Sequence, residues 1–521
     1  MKLFRHSESQ FRATPQPCAK NAWHHVGLLA ALAIVVQASP PVYGQGTVAV
    51  SVVNMIPKSL SGESRTDSEP NLAVNPSNTR QIAASAFTPD PRGGPNAPIY
   101  ISTDGGQSWM LNLIVPGSAG DPDGFGTNDI TLRFGSSNVL YAAILEEDVS
   151  AGPTTGGQFD ILRTNDFTSA KTMTRVMSRR GVDMPYVEVI SVGGKDRVYV
   201  GNNDLHAAGG RTATVDRSLD AANAPNPAGF ASQRIETRST CGRDAPSIRP
   251  AVHERGTIYA AFFRWTECRQ NQFPFVGDVV VVRDDNFAAG TATFTALREP
   301  PPPGGDGMPG MRVVTSVPVP FGRPLLGNQR VGSRISIAVD PNDRQRVYLA
   351  WGHGGPDPES YALHLRRSID GGANWSNDLR LIPQATNPSL AINSSGKVGF
   401  LYQQLTGTAP NQRWATHLER TDDAFATHTD LVLHDAADNV GDDSGAGPLG
   451  DYNQLLAVGR DFYGVFSGNN TPDKTNFPHG VKYQRNANFT TGKLLATNNV
   501  REVDPSIDPF FFKVRESRGP R

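Results

Sequence analysis

One two-strand pattern returns along most of the chain and constrains the fold more than any other feature. A polar residue, often followed by proline, opens a short apolar strand. After a turn comes a second strand rich in aromatic and small residues. Glu69-Pro-Asn-Leu-Ala-Val74 precedes Ile82-Ala-Ala-Ser-Ala-Phe87, and Asp129-Ile-Thr-Leu-Arg-Phe134 precedes Leu140-Tyr-Ala-Ala-Ile-Leu145. Met184-Pro-Tyr-Val-Glu-Val189 leads to Val198-Tyr-Val200, and Ala245-Pro-Ser-Ile248 to Ile258-Tyr-Ala-Ala-Phe-Phe263. Arg334-Ile-Ser-Ile-Ala-Val339 leads to Val347-Tyr-Leu-Ala-Trp351, and Asn387-Pro-Ser-Leu-Ala-Ile392 to Val398-Gly-Phe-Leu-Tyr402. The last copy pairs Tyr452-Asn-Gln-Leu-Leu-Ala-Val458 with Phe462-Tyr-Gly-Val-Phe466. Seven copies fall at spacings of about 53 to 89 residues.

Each copy runs on into a third strand that ends in a polar turn. Ser102-Thr-Asp-Gly-Gly-Gln-Ser-Trp109 and Ser368-Ile-Asp-Gly-Gly-Ala-Asn-Trp375 are the strong forms. Weaker ones follow strands ending at Arg163, Arg217, Arg283, Arg420 and Arg485. In the strong form the Asp caps its own turn, Gly supplies positive φ and Trp packs back between neighbouring sheets. Units of this length cannot bury both faces alone, whereas a ring of them can. The expected fold is an all-β propeller of four-stranded antiparallel blades, seven rather than six. The alternative is a β-sandwich with a second all-β domain. The last blade is expected to take its outer strand from Val48–Val53 or from Phe510–Val514. Gly and Pro total 92 of 521 residues, roughly 18% against an average of about 12%, which argues against a helical bundle.

The N-terminus has the pattern of an export signal. Lys2, Arg5, Arg12 and Lys20 precede the apolar run Val26–Val36, and small, turn-forming residues follow to Gly44. A run of about 11 is short of the roughly 20 that span a bilayer. The domain expectation is therefore a signal peptide over 1–44 and one propeller over 45–521, secreted or periplasmic and monomeric. Removing 1–44 takes 4 basic and 1 acidic residue from totals of 49 and 50, for a net charge of −4. Such a balance has no footprint for nucleic acid. Cys241 and Cys268 remain as an even pair for an oxidising compartment. The Pro- and Gly-rich stretch at about 299–330 reads as an inserted surface loop between the fourth and fifth blades.

Ser-x-Asp-x-Gly-x-Ser/Thr-Trp resembles the Asp-box, the bacterial neuraminidase repeat of sialidases and related propellers. The resemblance implies structural roles for Asp104, Trp109, Asp370 and Trp375 on the face opposite an active site. It further implies that Tyr452 is similar to the family's nucleophilic tyrosine, with Asp244 near the place of its acidic partner. Asp90 looks like the first-blade acid/base, Arg264 like an arginine that ends a second strand, and Arg334 would supply another arginine. Glu69-Pro70 stands where the family carries an Arg-Ile-Pro motif. A carboxylate there repels a carboxylated sugar, so hydrolysis of sialic acid is not expected.

In a propeller the residues leading the inner strands converge on one face. They are Glu69, Asp129, Asp183, Asp244, Arg334, Asn387 and Asp451; Asp90, Asp204, His206, Arg264 and His353 form the rim. This acidic ring points to glycan chemistry through a carboxyl pair, such as Asp90 with Asp129 or Asp244. A lyase would use His206 or His353 with Arg334. A non-catalytic propeller binding a glycan or an extracellular protein is the other class. No cofactor is required. Asp121, Asp123 and Asp129 form an oxygen-rich loop for a structural calcium, without the bidentate Glu of an EF-hand.

Overall fold

The computed structural model describes residues 48–87, 96–116, 127–146, 157–225, 229–268, 275–355, 357, 360–441 and 447–516. The expected leader, Asp90, Asp121 and Asp123 lie outside them. Among the described residues the elements are strands and short 3-10 turns. No helix there is long and apolar enough to cross a membrane.

Five sheets are four-stranded and antiparallel. Each is a meander whose first strand lies inside: Asn71–Val74, Arg249–Val252, Ile335–Asp340, Ala385–Ile392 and Gln454–Val458. A further sheet has seven strands, because Thr174–Val192 is at once the outer strand of one meander and the inner strand of the next. Gly181, at φ 73°, turns the chain between the two roles. The two candidate closing strands are both used: Ile507–Arg515 pairs with Asp461–Asn469, and Ala49–Asn54 pairs with Ile507–Arg515 outside it.

Polar side chains link successive inner strands. Asn71 Oδ1 accepts from Leu132 N (2.8 Å), Thr131 Oγ1 from Val187 N (3.0 Å), Ser336 Oγ from Leu390 N (3.0 Å) and Ser389 Oγ from Leu455 N (2.9 Å). Asn71 Nδ2 donates to Gln454 Oε1 (2.8 Å), bringing the last inner strand against the first. The strands thus stand around a common channel in a propeller-like array. Buried backbone N–H groups need partners, and these side chains supply them where neighbouring sheets do not pair.

The core lies between the sheets. Period-two alternation puts Tyr259, Phe263 and Trp265 of one sheet against Leu349 and Trp351 of the next, all buried. Each buried aromatic of this size contributes about 4–6 kcal/mol of transfer free energy. Trp109 closes another seam, 5.3 Å from the Phe511 ring. The stretch expected as a loop over 299–330 holds regular structure. Met311–Val319 is the outer strand of its sheet, and Arg323–Leu326 pairs with Gln329–Val331 as a hairpin. Its alternating apolar residues were masked in sequence by the surrounding Pro and Gly.

Candidate functional site

The residues leading the inner strands take an unusual backbone. Glu69, Met184 and Asn387 each precede a proline, and each has positive φ (56°, 47° and 54°). A non-glycine residue held there costs on the order of 1–3 kcal/mol. Here it turns the chain abruptly from the mouth of the channel into the inner strand. Gly450 (φ 70°) permits the close approach at Glu69: a Cβ at position 450 would lie 2.4 Å from Glu69 Cγ.

The mouth is a cavity of about 360 Å³ bordered by Glu69, Asp129, Asp183, Arg330, Arg334 and Asp451, among others. Glu69 and Asp129 are 5% and 6% exposed, and the charge of Asp129 acts on Glu69 across the cavity they share. Tyr452 Oη donates to Asp129 Oδ1 (2.8 Å), and Asp451 N donates to Glu69 Oε1 (3.0 Å). Arg334 Nη2 and Arg330 Nη2 hold the two oxygens of Asp451 at 2.6 and 2.7 Å. Asn387 Nδ2 bonds Gly450 O (3.2 Å) and so steadies the loop that carries Asp451.

These contacts split the carboxyls into two protonation classes. Burial, then the negative charges of Asp451 and Asp129, push Glu69 well above the usual carboxylate range. Burial and the neighbouring Asp183 push Asp129 up to about 6. Asp183 is itself raised, first by burial. Burial also opposes the charge of Asp451, but Arg334 and Arg330 outweigh it and hold this group low. A carboxyl pair whose charge is disfavoured therefore sits beside a carboxylate whose charge is held, the kind of environment that sets acid and base roles apart.

Several candidates stand elsewhere. Asp244 lies five residues before the strand that begins at Arg249, not at its start. Its Oδ2 accepts from Ala213 N (2.9 Å), and burial pushes it up to about 8. It is not the partner of Tyr452, a place that Asp129 fills. Arg264 pairs with Asp278 (2.7 Å) and Ser239 O (2.8 Å). His353 stacks on His364 at 3.9 Å, and burial lowers it to about 4. Asp204 pairs with Arg179 (2.7 Å), and the His206 ring packs over Gly181. Neither histidine borders the mouth, so the arrangement expected of a lyase base is not assembled there. Arg330, which sequence reasoning missed, arrives on the hairpin within the supposed loop.

The turns after the third strands form as their residues require. Asp104 Oδ1 accepts from Gln107 N (2.9 Å) and Ser108 N (3.0 Å), with Gly105 and Gly106 at φ 81° and 89°. Asp370 holds Asn374 N (2.9 Å) in the same way, and Trp375 Nε1 donates to Gly372 O (3.0 Å). Asp423 repeats the geometry with Thr427 N (2.9 Å). Cys241 and Cys268 are joined as a disulfide, with Cα atoms 5.7 Å apart.

No protein-family model and no curated protein matches the chain. Among solved structures it is similar to a PL25 ulvan lyase at 10% identity, over 78% of this chain and 92% of that one, with a TM-score of 0.46. It is also similar to the α-L-arabinanase of Penicillium chrysogenum complexed with arabinobiose (13%, 89% and 98%, TM-score 0.42). A third is the α-L-arabinofuranosidase Arb93A of Fusarium graminearum (9%, 88% and 97%, TM-score 0.40). Similarity at this depth leaves the chemistry to be read from the residues of this chain.

Proposed function

We propose that this is an exported, seven-bladed propeller that hydrolyses glycans at the acidic mouth of its channel, with a leader over residues 1–44. The observation that carries the reading is the buried Glu69–Asp129 pair bordering one cavity with an arginine-held Asp451. In this reading the pair keeps a proton near neutral pH and delivers it to the glycosidic oxygen. As the glycosidic bond breaks, water adds to the anomeric carbon, and the ionised Asp451 faces the positive charge that develops on the sugar ring. Tyr452, whose hydroxyl is spent on Asp129, positions that carboxyl. Glu69 at the mouth disfavours sialic acid as substrate. The calcium expected at Asp121, Asp123 and Asp129 has no part in this reading, in which Asp129 holds a proton in place of a cation.

The test is release of reducing ends from neutral glycans, uronic-acid polymers and sialosides. Glu69→Gln and Asp129→Asn are each expected to lower turnover at least about a hundredfold, the scale of a lost general acid. Turnover indifferent to both variants would remove the pair from the mechanism. A second reading, binding without catalysis, draws on how fully the cluster satisfies itself through Tyr452, Arg330 and Arg334. Glycan binding with no turnover on any substrate would favour it.

A further inference from the structure

The channel continues past Tyr452 into a second cavity of about 320 Å³, bordered by Arg133, Tyr186, Ser247, Arg249 and Gln454 among others. Two of its guanidiniums differ in condition. Arg133 is satisfied by Glu188 (2.8 Å), Leu72 O (3.0 Å) and Leu132 O (2.9 Å). Arg249 is 7% exposed, and among the described residues it makes no hydrogen bond or ion pair. It lies 4.4 Å from the centre of the Tyr186 ring and 5.8 Å from that of Tyr452. Burial disfavours its charge, and the field of Tyr186, Tyr452 and Asp129 only partly compensates. Buried cations are normally paired. Of the acids on the same wall, Glu188 is taken by Arg133 and Asp451 by Arg330 and Arg334, which leaves the Arg249 guanidinium open to an anion from outside.

A guanidinium offers two parallel N–H groups at the spacing of carboxylate oxygens. We propose that Arg249 reads the carboxylate of a uronic-acid residue in this half of the channel. The sugar rests on the glycan reading above, the carboxylate on Arg249 alone. A volume near 300 Å³ is at the small end of ligand pockets and suits one or two sugar rings. The Tyr452 hydroxyl bonds Asp129 on the side of the acidic mouth, and of the mouth's acids Asp451, already held by Arg330 and Arg334, also borders this cavity.

The experiment is calorimetric titration of the purified protein with glucuronate, glucose and acetate at one ionic strength. Glucuronate is expected to bind at least tenfold more tightly than glucose. Arg249→Gln, with an unchanged near-ultraviolet circular dichroism spectrum, is expected to lose at least tenfold in glucuronate affinity, and Arg249→Lys to lose less. Asp370→Ala, in a turn outside the cavity, is expected to retain it; the readout is binding, which keeps this test separate from the turnover that tests the acid pair. Equal binding of glucose and glucuronate, no binding of either acid, or full affinity in Arg249→Gln would overturn the proposal. Acetate binding as tightly as glucuronate would uphold a carboxylate site and overturn the sugar. If Arg249→Gln does not fold, the comparison of glucuronate with glucose on the unaltered protein still decides.

Discussion

Aspartates at the two ends of these sheets meet opposite fates. At the mouth, Asp129 is buried among other acids and pushed up to about 6. At the far end, where antiparallel order puts the turns after the third strands, Asp104 and Asp370 accept backbone and side-chain hydrogen bonds. Against a desolvation cost those bonds lower both groups. The residue type is the same. What differs is whether the carboxylate meets N–H and O–H donors or other carboxylates. The first arrangement stabilises a turn; the second stores unfavourable interaction that substrate chemistry can draw on.

The contrast can be broken at each end. The largest stability effect is expected for Arg334→Met, which removes one of the two cations from Asp451. The loss should be about 3 kcal/mol in a denaturant melt, because a carboxylate at the mouth is left underpaired. A loss below about 0.5 kcal/mol would mean that Arg330 alone suffices.

Asp129→Asn sharpens the comparison through pH. The folded-state pKa lies above the ordinary 3.8. The proton-linked stability is therefore complete below about 4 and drains away as pH rises through 6. Asparagine has no such loss. The melting temperature of the variant relative to the unaltered protein should rise between pH 4 and pH 8, by on the order of 2 kcal/mol in stability. A flat difference would show that Asp129 titrates normally.

The smallest effect belongs to the far end. Asp370→Ala should cost about 1 kcal/mol, typical of a lost turn cap, and leave glycan turnover unchanged. A change in turnover would bring these turns into the site.

Much of this was legible because hydrophobic period and turn residues are local. The repeats marked the inner and second strands. Placing polar residues at strand starts brought Glu69, Asp129, Asp183, Arg334 and Asp451 to one cavity. Asp244 failed because its strand begins at Arg249; the Ala-Pro-Ser-Ile stretch before it stands outside the ladder, with Ala245 N donating to Phe263 O (3.0 Å). Arg264 and His353 failed because cross-strand partners, Asp278 and His364, claim them. Arg330 was hidden in a hairpin that Pro and Gly disguised as loop. Arg249 was passed over because the start of this strand was read at Asp244, although Arg249 is the residue that opens it. The signal for it was weak but present: Arg249-Pro250 repeats the opening of a polar residue followed by proline seen in the other copies.

The central claim is that Glu69 and Asp129 share a retained proton. Carboxyl-selective carbon-13 NMR titration of the protein, compared with Glu69→Gln and Asp129→Asn, tests it most directly. Two resonances should titrate near or above pH 6, each lost in its own variant and shifted in the other. If the two resonances assigned by these variants instead titrate below pH 5, the mouth holds no proton to give and the assignment of acid chemistry to it is wrong.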